Sequence, residues 1–130
     1  MSNPFLAKPN YIRIFGHRGA RGEIAENSIE GFKHTFALGI KAIEFDVVIS
    51  KDKIPALYHY FHLMPYLVKD ESGNWLKNSE LKVFDKSYEE LSKYNIGSFD
   101  PESIHGKRFK EQKSLKNAKI PKLSELLELA

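Results

Sequence analysis

Two acidic side chains one residue apart, Glu44 and Asp46, are the first sign of chemistry in this sequence. In "KAIEFDVVIS", residues 41–50, Ile43, Phe45, Val47 and Ile49 alternate with Glu44, Asp46 and Val48. That is the two-residue period of a β-strand. The spacing predicts both carboxylates on one strand face, about 6 to 7 Å apart. Two anions at that distance repel unless a cation lies between them. A hard divalent ion, Mg²⁺ or Ca²⁺, is the simplest partner because both prefer oxygen ligands. The alternative is a solvated strand face carrying two unshared acids.

A second group surrounds the stretch "FGHRGARGEIAEN", residues 15–27. His17 supplies an imidazole that can give or take a proton near neutral pH. Arg18 supplies a planar cation suited to a phosphate, or else an ordinary ion pair. His59, in "ALYHYF", is a second imidazole near the end of an apolar run. Two histidines flanking a paired-carboxylate strand make a better acid and base set than either alone. His34, His62 and His105 have weaker claims, lying in a helix, beyond a strand and in a basic loop.

The elements that must position these groups follow from periodicity. "YIRIF", residues 11–15, reads as a short buried strand ended by Gly16. A loop runs from His17 to Ala25, and Asn27 with Glu30 forms a capping pair for a helix. Ile29, Phe32, Phe36 and Ile40 then fall at helical spacing, and Gly39 ends the helix. Residues 41–50 form the acidic strand, and "ALYHYF", residues 56–61, the next one. Residues 62–86 read as a polar excursion outside the core. "SYEELSKY" and "PKLSELLELA" read as short helices, the second with Pro121 at its start and an apolar stripe of Leu123, Leu126 and Leu127. The first ten residues are an irregular lead-in.

Composition bounds the rest. At 130 residues the chain suits one domain. A net charge of +3 is too small to argue for nucleic acid. Seven of its Lys and Arg lie in residues 105–122 with one acid, which reads as a solvated loop or as an attractor of an anionic ligand. With no cysteine, thiolate metal sites, disulfides and a cysteine nucleophile are excluded. No segment resembles a signal peptide or reaches the ~20 apolar residues of a membrane span. A soluble, cytoplasmic protein is expected, though a Cys-free chain suits the periplasm equally.

In order, "GHRGA", "AENSIEGF", "LGIKAIEFDVVISKD", "IPALYH" and "IPKLSELL" resemble the glycerophosphodiester phosphodiesterase family. The resemblance covers about residues 11–130. It implies a (β/α) TIM-type barrel, an α/β fold, of which this chain holds the first part. It also implies hydrolysis of a small-molecule glycerophosphodiester to glycerol 3-phosphate and an alcohol, with one divalent cation, Mg²⁺ or Ca²⁺. By matching, His17 and His59 are the acid and base, Arg18 holds the phosphate, Glu44 and Asp46 bind the metal, and Glu26 contacts metal or substrate. The family's mechanism passes through a cyclic phosphate formed by the neighbouring hydroxyl.

Two departures bear on activity. The family has Asp after the second histidine, where this sequence has Tyr60, and a phenol cannot supply an anion near neutral pH. A full barrel takes about 250 residues, and the family's third acidic ligand belongs on a strand after "PKLSELLELA". The chain is therefore expected to be an N-terminal portion, inactive alone, and to self-associate through exposed strand edges or be completed by a partner. Two further readings remain: a phospholipase D-like lipid phosphodiesterase, and a non-catalytic phosphate-binding homologue.

Overall fold

The computed structural model describes residues 10–130; the expected lead-in, apart from Asn10, lies outside them. The element order is β1 (Phe15–His17), α1 (Ile29–Ala37), β2 (Ala42–Glu44), β3 (Val47–Ile49), β4 (Pro55–Leu57), a 3-10 turn (Val83–Asp85), α2 (Tyr88–Leu91), α3 (Ile104–Arg108) and α4 (Leu123–Leu129). β1 and β2 pair in parallel across α1, with His17 opposite Glu44. β3 and β4 pair antiparallel, with Val47 opposite Leu57. Among the described residues these two-stranded sheets do not close into a barrel.

The acidic segment is therefore two strands and not the single strand its alternation predicts. The break falls at Phe45 and Asp46 and has a local cause. The Asn27 side chain accepts the Asp46 backbone N–H at 3.2 Å and donates to Asp46 Oδ2 at 3.0 Å, taking the place of a neighbouring strand. The backbone then changes partner, and the Asp46 carbonyl accepts from Tyr58 N. Packing changes with it: Ile43 and Phe45 pack against Phe32, Leu57 and Leu126, whereas Val48 joins the other core cluster and Val47 and Ile49 are exposed.

Other expectations shift for similar reasons. The first strand begins at Phe15, and Tyr11, Ile12 and Ile14 are exposed. Ser28, not Asn27, caps α1, its hydroxyl oxygen accepting the Gly31 N–H. Asn27 instead sits in the left-handed region at φ 52°, a conformation asparagine tolerates better than most residues. β4 ends at Leu57, so His59 lies in the segment after it.

Residues 62–86 are not outside the core. Leu63, Leu67, Val68 and Val83 are buried among Tyr58, Leu91, Ile96 and Ile120. Tyr58 fastens the segment, its hydroxyl accepting the Met64 N–H at 2.9 Å and donating to the His62 carbonyl at 3.2 Å. Alternation fails there because the buried side chains come from irregular backbone, a turn and the short 3-10 element, and not from a strand. The basic stretch likewise contains α3 and buries Ala118 and Ile120. In α4, Leu126 is buried but Leu127 is exposed. No helix of the described residues is long and apolar enough to cross a membrane.

Candidate active site

The loop after β1 is the centre of the site. Gly16 permits it, since a Cβ there would lie 2.5 Å from the Gly19 carbonyl oxygen and 2.6 Å from Thr35 Cγ2. Arg18 follows in the left-handed region at φ 50°, which costs a non-glycine residue about 1 kcal/mol or more. Two hydrogen bonds hold it there. Its N–H donates to Glu44 Oε2 at 3.0 Å, and its carbonyl accepts from Asn27 N at 2.9 Å.

The Arg18 side chain is buried beside three side chains. Nη1 donates to Glu26 Oε1 at 3.1 Å and Oε2 at 3.3 Å, and Nε lies 3.4 Å from Asp46 Oδ2. Glu26 is 1% exposed, with guanidinium groups facing both its oxygens. Burial works against the Arg18 cation, but Glu26, the Tyr60 hydroxyl and Asp46 more than offset it, and the pKa is raised. The cation over Tyr60 lies 6.0 Å from the ring centroid.

The two matched histidines face the two matched acids. His17 Nε2 is 3.7 Å from Glu44 Oε2, and His59 Nε2 is 3.9 Å from Asp46 Oδ1. His17 is exposed and His59 about one-third exposed, so both can be reached. Tyr60 stands edge-on to the His59 ring at 4.4 Å and edge-on to Tyr58 and Tyr66. The residue that replaces a carboxylate thus braces the imidazole by packing.

For a divalent cation the donor type fits, and the described residues supply two partly exposed carboxylates. Glu44 and Asp46 are partly exposed carboxylates, but they turn to different partners, and Glu26 is enclosed by arginines. Among the described residues no three His, Asp or Glu side chains gather as a cage.

The sequence reading missed Arg21 and understated His105. Arg21 Nη2 lies 3.3 Å from His105 Nδ1 across 84 residues of chain. A guanidinium only donates, so Nδ1 accepts and the imidazole carries its proton on Nε2. His105 stacks on Tyr66 at 4.6 Å and on Phe99 at 5.5 Å. The signal available was composition alone, in that aromatic Phe109 lies among the basic residues of 105–122.

The model of the glycerophosphoryl diester phosphodiesterase family matches residues 17–130. The chain belongs to that family. A Silicibacter pomeroyi DSS-3 crystal structure, assigned as a phosphodiesterase of this family, superposes with a TM-score of 0.91 at 40% identity, covering 94% of this chain and 41% of that one. A glycerophosphodiester phosphodiesterase of Caldanaerobacter subterraneus subsp. tengcongensis is 32% identical over 116 residues, 89% of this chain and 39% of that one. An Oleispira antarctica phosphodiesterase solved with sn-glycerol-3-phosphate shares the fold at 24% identity and a TM-score of 0.62. The chain spans about two-fifths of the length of these relatives. The family's TIM-type barrel is therefore represented here by a partial α/β arrangement, and its members generally depend on a divalent cation.

His105 generates a pH dependence of stability. Burial, and after it the Arg21 cation, lowers its pKa below the ordinary 6.5. The folded state thus favours the neutral ring, a contribution present in full above about pH 6.5 and lost as pH falls through the folded value. Thermal unfolding at about pH 7.5 and about pH 5.5 should show a smaller acid-induced loss in His105→Gln than in the unsubstituted chain. Equal losses would mean that His105 contributes nothing to the dependence.

Proposed function

We propose that this chain carries the anion-binding and acid–base part of a hydrolase that splits glycerophosphodiesters into glycerol 3-phosphate and an alcohol. The observation that carries the reading is the convergence of His17, Arg18 and His59 on the Glu44 and Asp46 carboxylates, within 3.9 Å at most. Family membership supports the substrate class.

In this reading Arg18 offsets charge on the phosphoryl oxygens, as a fixed donor in a partly dry site does best. One imidazole takes the proton of the attacking hydroxyl while the other gives one to the departing alcohol. His17 and His59 face the acids from different segments, so they can act on opposite sides of one phosphorus. Glu26 orients Arg18 instead of meeting the substrate. Glu44 and Asp46 are two of the oxygen donors for one Mg²⁺ or Ca²⁺. When bound, that ion would neutralise phosphoryl charge and lower the pKa of a hydroxyl.

A lipid phosphodiester is the second reading, favoured by one feature. Val47 and Ile49, which follow Asp46 in sequence, form an apolar groove with Phe61 and Phe84. Release of choline from lysophosphatidylcholine in preference to glycerophosphocholine would select it.

The direct test is release of glycerol 3-phosphate from glycerophosphocholine, by this chain and by the chain joined to the remainder of the family's domain. Release should require Mg²⁺ or Ca²⁺ and fall about 10²–10⁴-fold in His17→Ala and in His59→Ala. No release from either protein, nor from either carrying Tyr60→Asp, would contradict the enzyme reading and leave a phosphate-binding homologue. Separately, Glu44→Gln and Asp46→Asn should each weaken Mg²⁺ or Ca²⁺ binding in a calorimetric titration. Unchanged affinity would remove them as ligands.

A further inference from the structure

The groups around Arg18 are organised by a second arginine that no step of the proposed chemistry uses. Arg21 Nε lies 2.9 Å from Glu26 Oε2, and its side chain is 12% exposed. Its guanidinium lies over the Phe109 ring at 4.7 Å, and Nη2 reaches His105. Its backbone is held as firmly: the N–H donates to the His17 carbonyl at 3.3 Å, and the carbonyl accepts from Gln112 Nε2 at 2.7 Å. The residue is thus fixed from both ends, by the catalytic loop and by the 99–112 segment.

Glu26 therefore lies between two cations. If Arg18 were its single partner, Glu26 would be free to shift with it, and an incoming phosphate could draw Arg18 out of place. With Arg21 also on Oε2, Glu26 is shared between two cations, and Asp46, 3.4 Å from Arg18 Nε, is the second carboxylate of this partly dry corner. Neither Nε–H is aligned for a hydrogen bond, although each faces a carboxylate as an ion pair. The position of Arg18 then depends on where Glu26 is held, and Arg21 holds it.

We propose that Arg21 is a positioning residue for phosphate binding, acting through Glu26 to fix the Arg18 guanidinium in place for the anion. The inference rests on the phosphate-binding reading of Arg18. It predicts that Arg21 contributes to affinity for a phosphomonoester without touching it, and that the contribution vanishes when Glu26 is made neutral.

The test is a titration of the 130-residue chain with sn-glycerol 3-phosphate followed by NMR, with thermal unfolding of each variant recorded to establish folding. Arg21→Gln should weaken binding about tenfold, a coupling of the size found between residues joined in one ion-pair network. In a Glu26→Gln background the same substitution should cost less than about twofold. Phe109→Leu, which removes the ring under Arg21 but leaves Glu26 untouched, should also change affinity less than about twofold.

An Arg21→Gln loss that is the same in both backgrounds, or one matched by Phe109→Leu, would mean that Arg21 acts by packing alone and would overturn the proposal. If Arg21→Gln does not fold, Arg21→Lys replaces it, because an ammonium cannot serve Glu26 and His105 together. It should weaken binding measurably, and unchanged affinity would overturn the proposal. Arg18→Lys separates the two levels. If it leaves affinity unchanged, the phosphate-binding reading itself fails. If it weakens binding while Arg21→Gln does not, the role of Arg21 alone fails.

Discussion

One buried carboxylate, Glu26, is the constraint on which the site depends. An ionised group at 1% exposure is costly unless it is paired. Here the pairing comes from Arg18 on one side and Arg21 on the other. Breaking such a buried arrangement by removing one partner typically costs about 3–5 kcal/mol, mostly because a charge is left without compensation. Arg18 is consequently held at a backbone angle it would not otherwise adopt, and its N–H and carbonyl are used to fix Glu44 and Asn27. The strain and the ion pair belong together: the second keeps the first in place.

The rest of the site follows outward from that corner. Asn27, next to Glu26, ties down Asp46 and interrupts the acidic segment, so that Glu44 faces β1 and Asp46 faces the segment after β4. That interruption brings two histidines from distant parts of the chain to two carboxylates only one residue apart. Arg21 extends the same network to His105, which joins the basic 105–122 stretch to the first loop through stacked aromatic rings. The polar interior and the apolar core are thus coupled through Tyr58, Tyr60 and Tyr66, whose rings pack edge-on between them.

Much of the site was legible in residue types and spacing. His17, Arg18, His59, Glu44 and Asp46 occur in short motifs, and the structure gathers all five. What their order could not show was the split at Asp46, because it depends on Asn27, which lies outside the alternating pattern. Glu26 read as a contact for metal or substrate, since a sequence shows an acid but not the two cations that enclose it. Arg21 and His105 were hidden for the same reason, their contact spanning 84 residues. The 62–86 segment was misjudged because mostly irregular backbone buries Leu63, Leu67, Val68 and Val83 without any periodicity. Short strands were read too long wherever apolar side chains continued past the last paired residue, as at Tyr58 to Phe61.

The central claim is that Arg18, held by Glu26, is a preformed receptor for a phosphate. A crystal structure of the chain soaked with sn-glycerol 3-phosphate tests it most directly. The account predicts phosphate density against the Arg18 guanidinium and within reach of His17 and His59, with the Arg18–Glu26 and Arg21–Glu26 pairs intact. Phosphate bound elsewhere, or an Arg18 that leaves Glu26 to reach it, would contradict the account.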